Sequence, residues 1–355
     1  MSYYSILGLM SGTSMDGLDI VHITFYLSKK NEWTFKIHNK KTYPYKIDTI
    51  NKLKKSKNLS TIEILEFDKY LGKIFSNHVN NFIKTNKINK KDIHAIGSHG
   101  HTVHHRPDIG FTQQIGCGDT IAFNTGINVV NNFRQKDIIA NGQGAPLVPI
   151  GDKLLFIKKA NAFLNIGGFV NICVIGEKII AFDICPGNLP LNKVINKLGL
   201  DFDNKGILSS QGKINIKILH KLNSLKFYDK KNPKSLGTEW LEKNFFPIIN
   251  KINSPEDQLR TIIEHIAIQV SNTFKKLNVK KIYITGGGAL NEFLISRIKA
   301  NTNVKIIIPN KTIINYKEAI IFGFLSVLFL RKEINCLADA TGANKDTIGG
   351  VLHIP

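Results

Sequence analysis

The chain is poor in the features that place a protein quickly. It has four cysteines in 355 residues, at positions 117, 173, 185 and 336, and no two stand at a metal-ligand spacing. A chain of this size does not need an oxidised framework, so reduced thiols and a cytoplasmic location are expected. No apolar run is long enough to span a bilayer: "AIIFGFLSVLFL", residues 319–330, is too short and reads as a buried helix. No basic segment followed by a long apolar one opens the chain, so no signal peptide is evident. Low-complexity tracts, short-period repeats and the phosphate-binding GxxxxGK[ST] pattern are all missing. Arginine is scarce too: five of the 48 basic residues, at 106, 134, 260, 297 and 331.

Hydrophobic residues make up 43% of the chain, enough for a sizeable core, and the length suits two domains. The formal net charge of +21 raises nucleic acid as a partner. The lysines argue against it, because they are scattered among Asn and Ile, as at Lys54–Lys55, Lys158–Lys159 and Lys275–Lys276. No basic stretch interleaves with aromatics and no helix-turn-helix or zinc finger is present. A solvated lysine-rich surface is expected, with neither nucleic acid nor membrane as partner.

The pattern along the chain is α/β. Residues 3–27 read as two strands around a tight loop, because "LDIVHITFYL" alternates as a strand does. Residues 60–90 have helical spacing, and Ser60 with Glu63 fits a capping box. A short strand follows at 93–100, then a loop-rich polar stretch to about 150. A second cycle starts at 161–188 with strand, Gly-Gly turn, strand, turn and strand. Helical patterns fill 189–198 and 255–277, and residues 280–298 give strand, triple-glycine turn and helix. The two strand–glycine turn–strand units echo one another, which suggests two domains facing one cleft. The expected division is 1–128 plus 335–355 for the first lobe and 129–334 for the second.

Three glycine turns carry the chemistry. In "GLMSGTSMDGLD" the glycines let backbone N–H groups approach an anion, hydroxyls add donors, and the carboxylates suit Mg²⁺ beside a nucleotide's phosphates. The candidates are Gly12, Thr13, Ser14, Met15, Asp16, Gly17, Leu18 and Asp19, with Asp16 and Asp19 as metal candidates. A hairpin that merely needs Gly is the plainer reading. "NIGGFVN" adds Gly167 and Gly168. "TGGGALN" adds Gly286, Gly287 and Gly288 at a helix start that could face a nucleotide. Two hairpins and one strand–helix junction match the phosphate and adenosine loops of the actin-like, sugar-kinase and Hsp70 ATPase fold.

"GSHGHTVHHRPD" holds four His and an Arg. It has no HExxH and no Cys at ligand spacing, so sugar recognition fits better than zinc. "VVNNFRQKDIIANGQGAPLVPIGD" carries Arg134 and Asp137, and arginine's rarity suggests that its planar fork is needed there. Asp183, at the end of the apolar strand in "AFDICPGN", reads as a general base or as a turn aspartate. Glu318 opens the last apolar helix, as a dipole partner or a ligand contact.

Taken in order, "GLMSGTSMDGLD", "GSHGHTVHHRP", "VNNFRQKDIIANGQGAPLVP", "LNIGGFVNI", "FDICPGN", "PKSLGTEW", "ITGGGALN", "KEAIIFGFL" and "TGA" resemble the anhydro-N-acetylmuramic acid kinases. The resemblance runs from about residue 6 to about residue 350. It implies the two-domain actin-like ATPase fold, ATP and Mg²⁺, a homodimer, and a role in recycling peptidoglycan. It further implies hydrolytic opening of the 1,6-anhydro ring and phosphorylation of O6. Residues 12–19 would cradle phosphates, Asp183 would be the catalytic base, and His99, Arg134 and Glu318 would contact the amino sugar. The sequence departs from the family pattern at Ile184 and Cys185 (commonly Thr-Gly), Thr238 (Arg), Asn141 (Gly) and His101 (Gln). Alternatives are a same-fold sugar kinase with another substrate, an actin-like nucleotide switch, or a nucleic-acid binder.

Overall fold

The alternating residues around the first glycine turn form the antiparallel hairpin β1 (Ser2–Ser11) and β2 (Gly17–Leu27). This is seen in a computed structural model of the chain, which describes residues 2–12, 14–232 and 234–355. β3 (Trp33–Pro44) extends the meander. β4 (Ala95–Arg106) lies parallel to β1, β5 (Phe111–Ile115) pairs antiparallel to β4, and β6 (Val129–Asn131) runs parallel to β4. The helix Thr61–Thr85 makes the parallel crossover that such a topology demands. Its start is the capping box read from the sequence: Ser60 caps Glu63 N–H, and Glu63 accepts from Ser60 N–H at 2.7 Å.

The pattern then repeats. β7 (Ala162–Ile166), β8 (Phe169–Ile175) and β9 (Ile179–Pro186) form a second meander. The helix Pro255–Lys276 leads to β10 (Lys281–Thr285), parallel to β7, and β11 (Lys305–Ile307) follows, parallel to β10. β12 (Val351–His353) closes the chain on β6. The sheet orders are β3-β2-β1-β4-β6-β12 and β9-β8-β7-β10-β11. Each contains a three-stranded meander followed by two parallel strands, the repeated unit of the actin-like ATPase fold, and the first sheet adds the antiparallel strands β5 on β4 and β12 on β6.

Contacts divide the chain into a first unit, Met1–Phe156 with Tyr316–Pro355, and a second, Ile157–Asn315. The sequence boundaries of 128/129 and 334/335 therefore shift. β6 pairs with β4, which keeps residues 129–131 in the first unit. The last apolar helix also packs on the first sheet. The core of the first unit gathers Leu7, Leu9, Ile20, Phe75 and Phe82. That of the second gathers Leu164, Ile172, Phe245, Ile263 and Ile284. Each such buried side chain contributes roughly 2 kcal/mol.

The helix Lys311–Leu330 has the length and hydropathy of a membrane span. Within the first unit its residues Ile320, Phe322, Phe324 and Leu325 are buried instead. Glycine makes that packing possible: a Cβ on Gly8 would stand 2.0 Å from the Ala319 carbonyl oxygen, and one on Gly97 2.5 Å from that of Phe322. The polar stretch expected as loops after residue 100 holds more structure than its composition suggests, with β4 running on to Arg106 and the helix Gly118–Thr125 following. Asn141 has φ +66, a left-handed conformation that Gly adopts freely and Asn tolerates best among other residues. That explains a change from Gly to Asn there.

Candidate active site

In each sheet the first, third and fourth strands run the same way and end at one edge, where open α/β sheets bind ligands. The loop of residues 12–16 sits at that edge of the first unit. Thr13 lies outside the described residues. Met15 N–H donates to the Gly12 carbonyl at 3.2 Å, and Ser14 Oγ donates to Asp16 Oδ1 at 2.7 Å. The glycines separate by cause. A Cβ on Gly17 would stand 2.4 Å from the Tyr43 carbonyl oxygen, so Gly17 serves packing against β3. Among the described residues a Cβ on Gly12 would meet only Ser14 Oγ, at 3.6 Å, and no contact among them demands glycine there. Leu18 is a core side chain and offers only its backbone.

Asp19 opposes Thr42 in the β2–β3 register, and Thr42 Oγ1 donates to Asp19 Oδ1 at 2.5 Å. The Tyr316 hydroxyl lies 3.1 Å from Thr42 Oγ1. Burial pushes the Asp19 carboxyl up to about 6; the Thr42 bond opposes this, while Asp16 and Glu318 add to it. Neighbouring Ser11 Oγ accepts from the Tyr45 hydroxyl at 2.7 Å and lies 3.0 Å from Nδ1 of buried His101. Desolvation lowers that imidazole to about 4, so it is neutral at pH 7.

Two of the three sugar-contact candidates touch each other. Arg134 donates from Nε and Nη2 to His99 Nε2 at 3.2 and 2.9 Å, and from Nη1 to the Gly144 carbonyl at 2.8 Å. A guanidinium only donates, so His99 Nε2 accepts and Nδ1 carries the proton toward the Gly100 carbonyl, 3.0 Å away. Burial and Arg134 both hold His99 well below its usual value, so it is neutral. Both ring nitrogens are thus engaged with protein: His99 orients Arg134. The last apolar helix starts at Lys311, so Glu318 lies inside it and is not the helix-start dipole partner the sequence suggested. Its carboxyl is raised by desolvation and pulled back by Arg134 and Lys317.

Asp137 has a structural task. Fully buried, it accepts from Gly144 N–H at 2.7 Å through Oδ2, and from Thr341 Oγ1 at 2.7 Å and Cys336 Sγ at 3.1 Å through Oδ1. It ties the "NGQGAP" loop to the "TGA" segment.

In the second unit, Gly167 and Gly168 form the β7–β8 turn. Their carbonyls accept from Asn188 N–H at 2.8 Å and Gly187 N–H at 2.9 Å, which caps the helix Asn188–Asn196. In the triple-glycine turn, Gly286 has φ +84 and a Cβ there would stand 2.6 Å from Asn165 Oδ1 and the Ile166 carbonyl oxygen. One on Gly288 would stand 2.1 Å from Ile166 Cγ2. Gly287 is exposed and would meet only Asn188 Nδ2, at 3.6 Å. Packing therefore accounts for Gly286 and Gly288, and leaves Gly287 as the glycine open to a ligand. Gly287→Ala is expected to melt within about 2 °C of wild type yet weaken ATP binding about tenfold, as loss of a close backbone approach would. Gly286→Ala is expected to destabilise the fold by about 1–3 kcal/mol. Calorimetry and nucleotide titration of both variants check this.

Asp183 stands near the C-terminal end of β9. Its N–H donates to the Lys234 carbonyl at 2.9 Å, and its Oδ2 accepts from Leu236 N–H at 2.8 Å. No described group donates to Oδ1. Burial raises the carboxyl, against the Leu236 bond. The substituted Ile184 and Cys185 point into the core at 2% and 0% exposure, so they change packing behind Asp183 rather than its free oxygen. Thr238 is exposed at the start of a short helix. Sequence reasoning gave no role to Thr42, Tyr316, Ser11 or Leu236. The quoted motifs contain Ser11 and Leu236, but nothing in one dimension shows a backbone N–H aimed at a carboxylate.

No group of three or more His, Cys, Asp or Glu side chains among the described residues is placed to hold a metal ion. A family model described as anhydro-N-acetylmuramic acid kinase matches residues 4–355. Curated proteins of that name from Sulfurovum sp. (strain NBC37-1) and Francisella tularensis subsp. novicida (strain U112) are 33% and 34% identical. The first alignment covers 98% of both chains and the second 99% of both. Among solved structures, the activator of 2-hydroxyisocaproyl-CoA dehydratase from Clostridium difficile with bound ADPNP aligns with a TM-score of 0.46 at 14% identity. That alignment covers 93% of this chain and 97% of the other.

Proposed function

Because the chain belongs to the anhydro-N-acetylmuramic acid kinase family and is a kinase, we propose that it opens the 1,6-anhydro ring of anhydro-N-acetylmuramic acid with water and transfers the γ-phosphoryl group of ATP to the freed O6. The product is N-acetylmuramic acid 6-phosphate, and the setting is recycling of cell-wall fragments by a cytoplasmic homodimer.

The single observation that carries the chemistry is Asp183. One carboxylate oxygen is fixed by Leu236 N–H, and the other receives no hydrogen bond among the described residues. Desolvation makes it a stronger base than an ordinary aspartate. In this reading Asp183 Oδ1 takes a proton from the water that attacks C1. The C1–O6 bond breaks, and O6 accepts the phosphoryl group as its bond to the β-phosphate bridging oxygen breaks. Arg134, oriented by His99, and Glu318 bind the sugar's polar groups.

The residues present fit a nucleotide. Gly12 and Gly287 leave open backbone where a Cβ would meet no close protein atom, as a phosphate or a ribose requires. They fit Mg²⁺ as an ion shared with phosphates: Asp16 and Asp19 offer hard carboxylate oxygens, and the remaining ligands would be phosphate oxygens and water. Bound Mg²⁺ would neutralise charge on the phosphates. Backbone amides of residues 12–19 would position them.

The test is product analysis after incubation with ATP, Mg²⁺ and anhydro-N-acetylmuramic acid in ¹⁸O-labelled water. The expected product is phosphorylated and carries one label at the anomeric oxygen. A phosphorylated product without label would mean that an intact sugar hydroxyl is the acceptor. No product from protein that binds ATP would mean a different substrate.

A further inference from the structure

Asp183 is bracketed by one short segment. Lys234 accepts its N–H and Leu236 donates to its carboxylate, two residues apart. That segment is neither strand nor helix, and Ser235 within it is exposed. Phe182 and Ile184 flank Asp183 on β9, and they border a cavity of about 180 Å³ together with Tyr228, Gln269 and Lys276.

The Lys234 side chain supplies the missing anchor. Its Nζ donates to the Phe227 carbonyl at 3.1 Å and the Tyr228 carbonyl at 3.4 Å, and stands 4.5 Å above the Phe227 ring. Both partners are anchored by their own contacts. Phe227 is 3% exposed. The Tyr228 hydroxyl lies 2.7 Å from Nε2 of buried His265, whose Nδ1 lies 2.7 Å from Asn223 Oδ1. His265 belongs to the long helix Pro255–Lys276. A continuous chain of contacts therefore runs from that helix through His265, Tyr228 and Lys234 to the Asp183 carboxylate.

We propose that Lys234 is a positioning residue: its ammonium clamps segment 234–236 so that Leu236 N–H fixes the orientation of the Asp183 carboxylate. The inference rests on the reading of Asp183 as the base, and it adds a residue that never touches substrate. Ligand-orienting partners of this kind commonly change activity by about 10- to 100-fold, and a misplacement of about 1 Å can cost a similar factor.

The experiment compares wild type, Lys234→Met and Lys234→Arg. Methionine keeps much of the apolar stem but removes the donors; arginine keeps donors and charge. In the ligand-free proteins, amide hydrogen exchange is followed across residues 234–238. Lys234→Met is expected to exchange at least about tenfold faster at Leu236, as loss of local protection would show. With ATP and the sugar, its kcat is expected to fall about 10- to 100-fold with KM within about twofold, and Lys234→Arg to recover most of the loss. Exchange that stays slow, or a kcat within about twofold of wild type, overturns the clamp. If the wild-type protein does not turn over the sugar, the functional reading fails and exchange alone decides the clamp. If Lys234→Met does not fold, Lys234→Gln takes its place, since it can satisfy only part of the two-carbonyl contact.

Discussion

Asp183→Asn is expected to lower kcat on the sugar by about 10²- to 10⁴-fold, the range a positioned general base supplies, while ATP affinity stays within about twofold. The substitution is nearly isosteric. The amide oxygen still accepts from Leu236 N–H, so the 2.8 Å contact and the segment behind it survive. Only the proton-accepting charge is lost. Because burial opposes that charge, the variant should melt at or slightly above the wild-type temperature, which separates a chemical from a folding defect. The same desolvation fixes the pH response. The base must be ionised, so kcat/KM falls as pH drops through its raised pKa, and the acid limb lies above that of an ordinary aspartate. Steady-state rates and calorimetry on the two proteins check both statements. An asparagine variant that keeps more than a tenth of the rate would remove Asp183 from the base's role.

The fold was legible wherever a pattern is local. The alternation after Leu18 gave β2, the Ser60 and Glu63 spacing gave a helix start, and the two glycine hairpins gave the first two strands of each repeated unit. β3 escapes such a reading because its exposed Lys36, Lys40 and Lys41 at a sheet edge mask the strand pattern. Glycines could be recognised but not sorted. Gly286 and Gly12 look alike in sequence, yet one is forced by Asn165 and Ile166 and the other by no close contact among the described residues. The site was legible as residue types and not as contacts. His99 read as a sugar ligand, whereas Arg134 occupies its Nε2. Asp137 read only as a companion of Arg134 in a polar stretch, whereas it is fully buried with three donors. Partners 204 residues apart in the chain, such as Thr341 for Asp137, leave no trace in a local window.

Asp19→Asn is expected to make the ligand-free protein more stable and the enzyme worse. The Asp19 carboxyl titrates near 6 in the folded protein against about 3.8 when exposed. The sign follows from which state binds the proton more tightly. The folded state does, so the ionised carboxyl is a destabilising group. Its cost is absent below about pH 3.8, grows between 3.8 and 6, and is complete above 6. The difference corresponds to at most about 3 kcal/mol, and partial solvent access reduces it to about 1–2 kcal/mol. Asparagine removes the charge and keeps an oxygen for the Thr42 hydroxyl. The melting temperature is therefore expected to rise by several degrees at pH 8 and not at pH 4. A buried charge retained at such a cost needs a use, and in the proposed function the loop beside it holds the phosphates, so ATP turnover should fall about 10- to 100-fold. A variant that melts lower at pH 8 would refute the charge argument. One that is more stable and fully active would place Asp19 outside the nucleotide site, leaving Asp16 and the loop backbone to hold the phosphates and their cation.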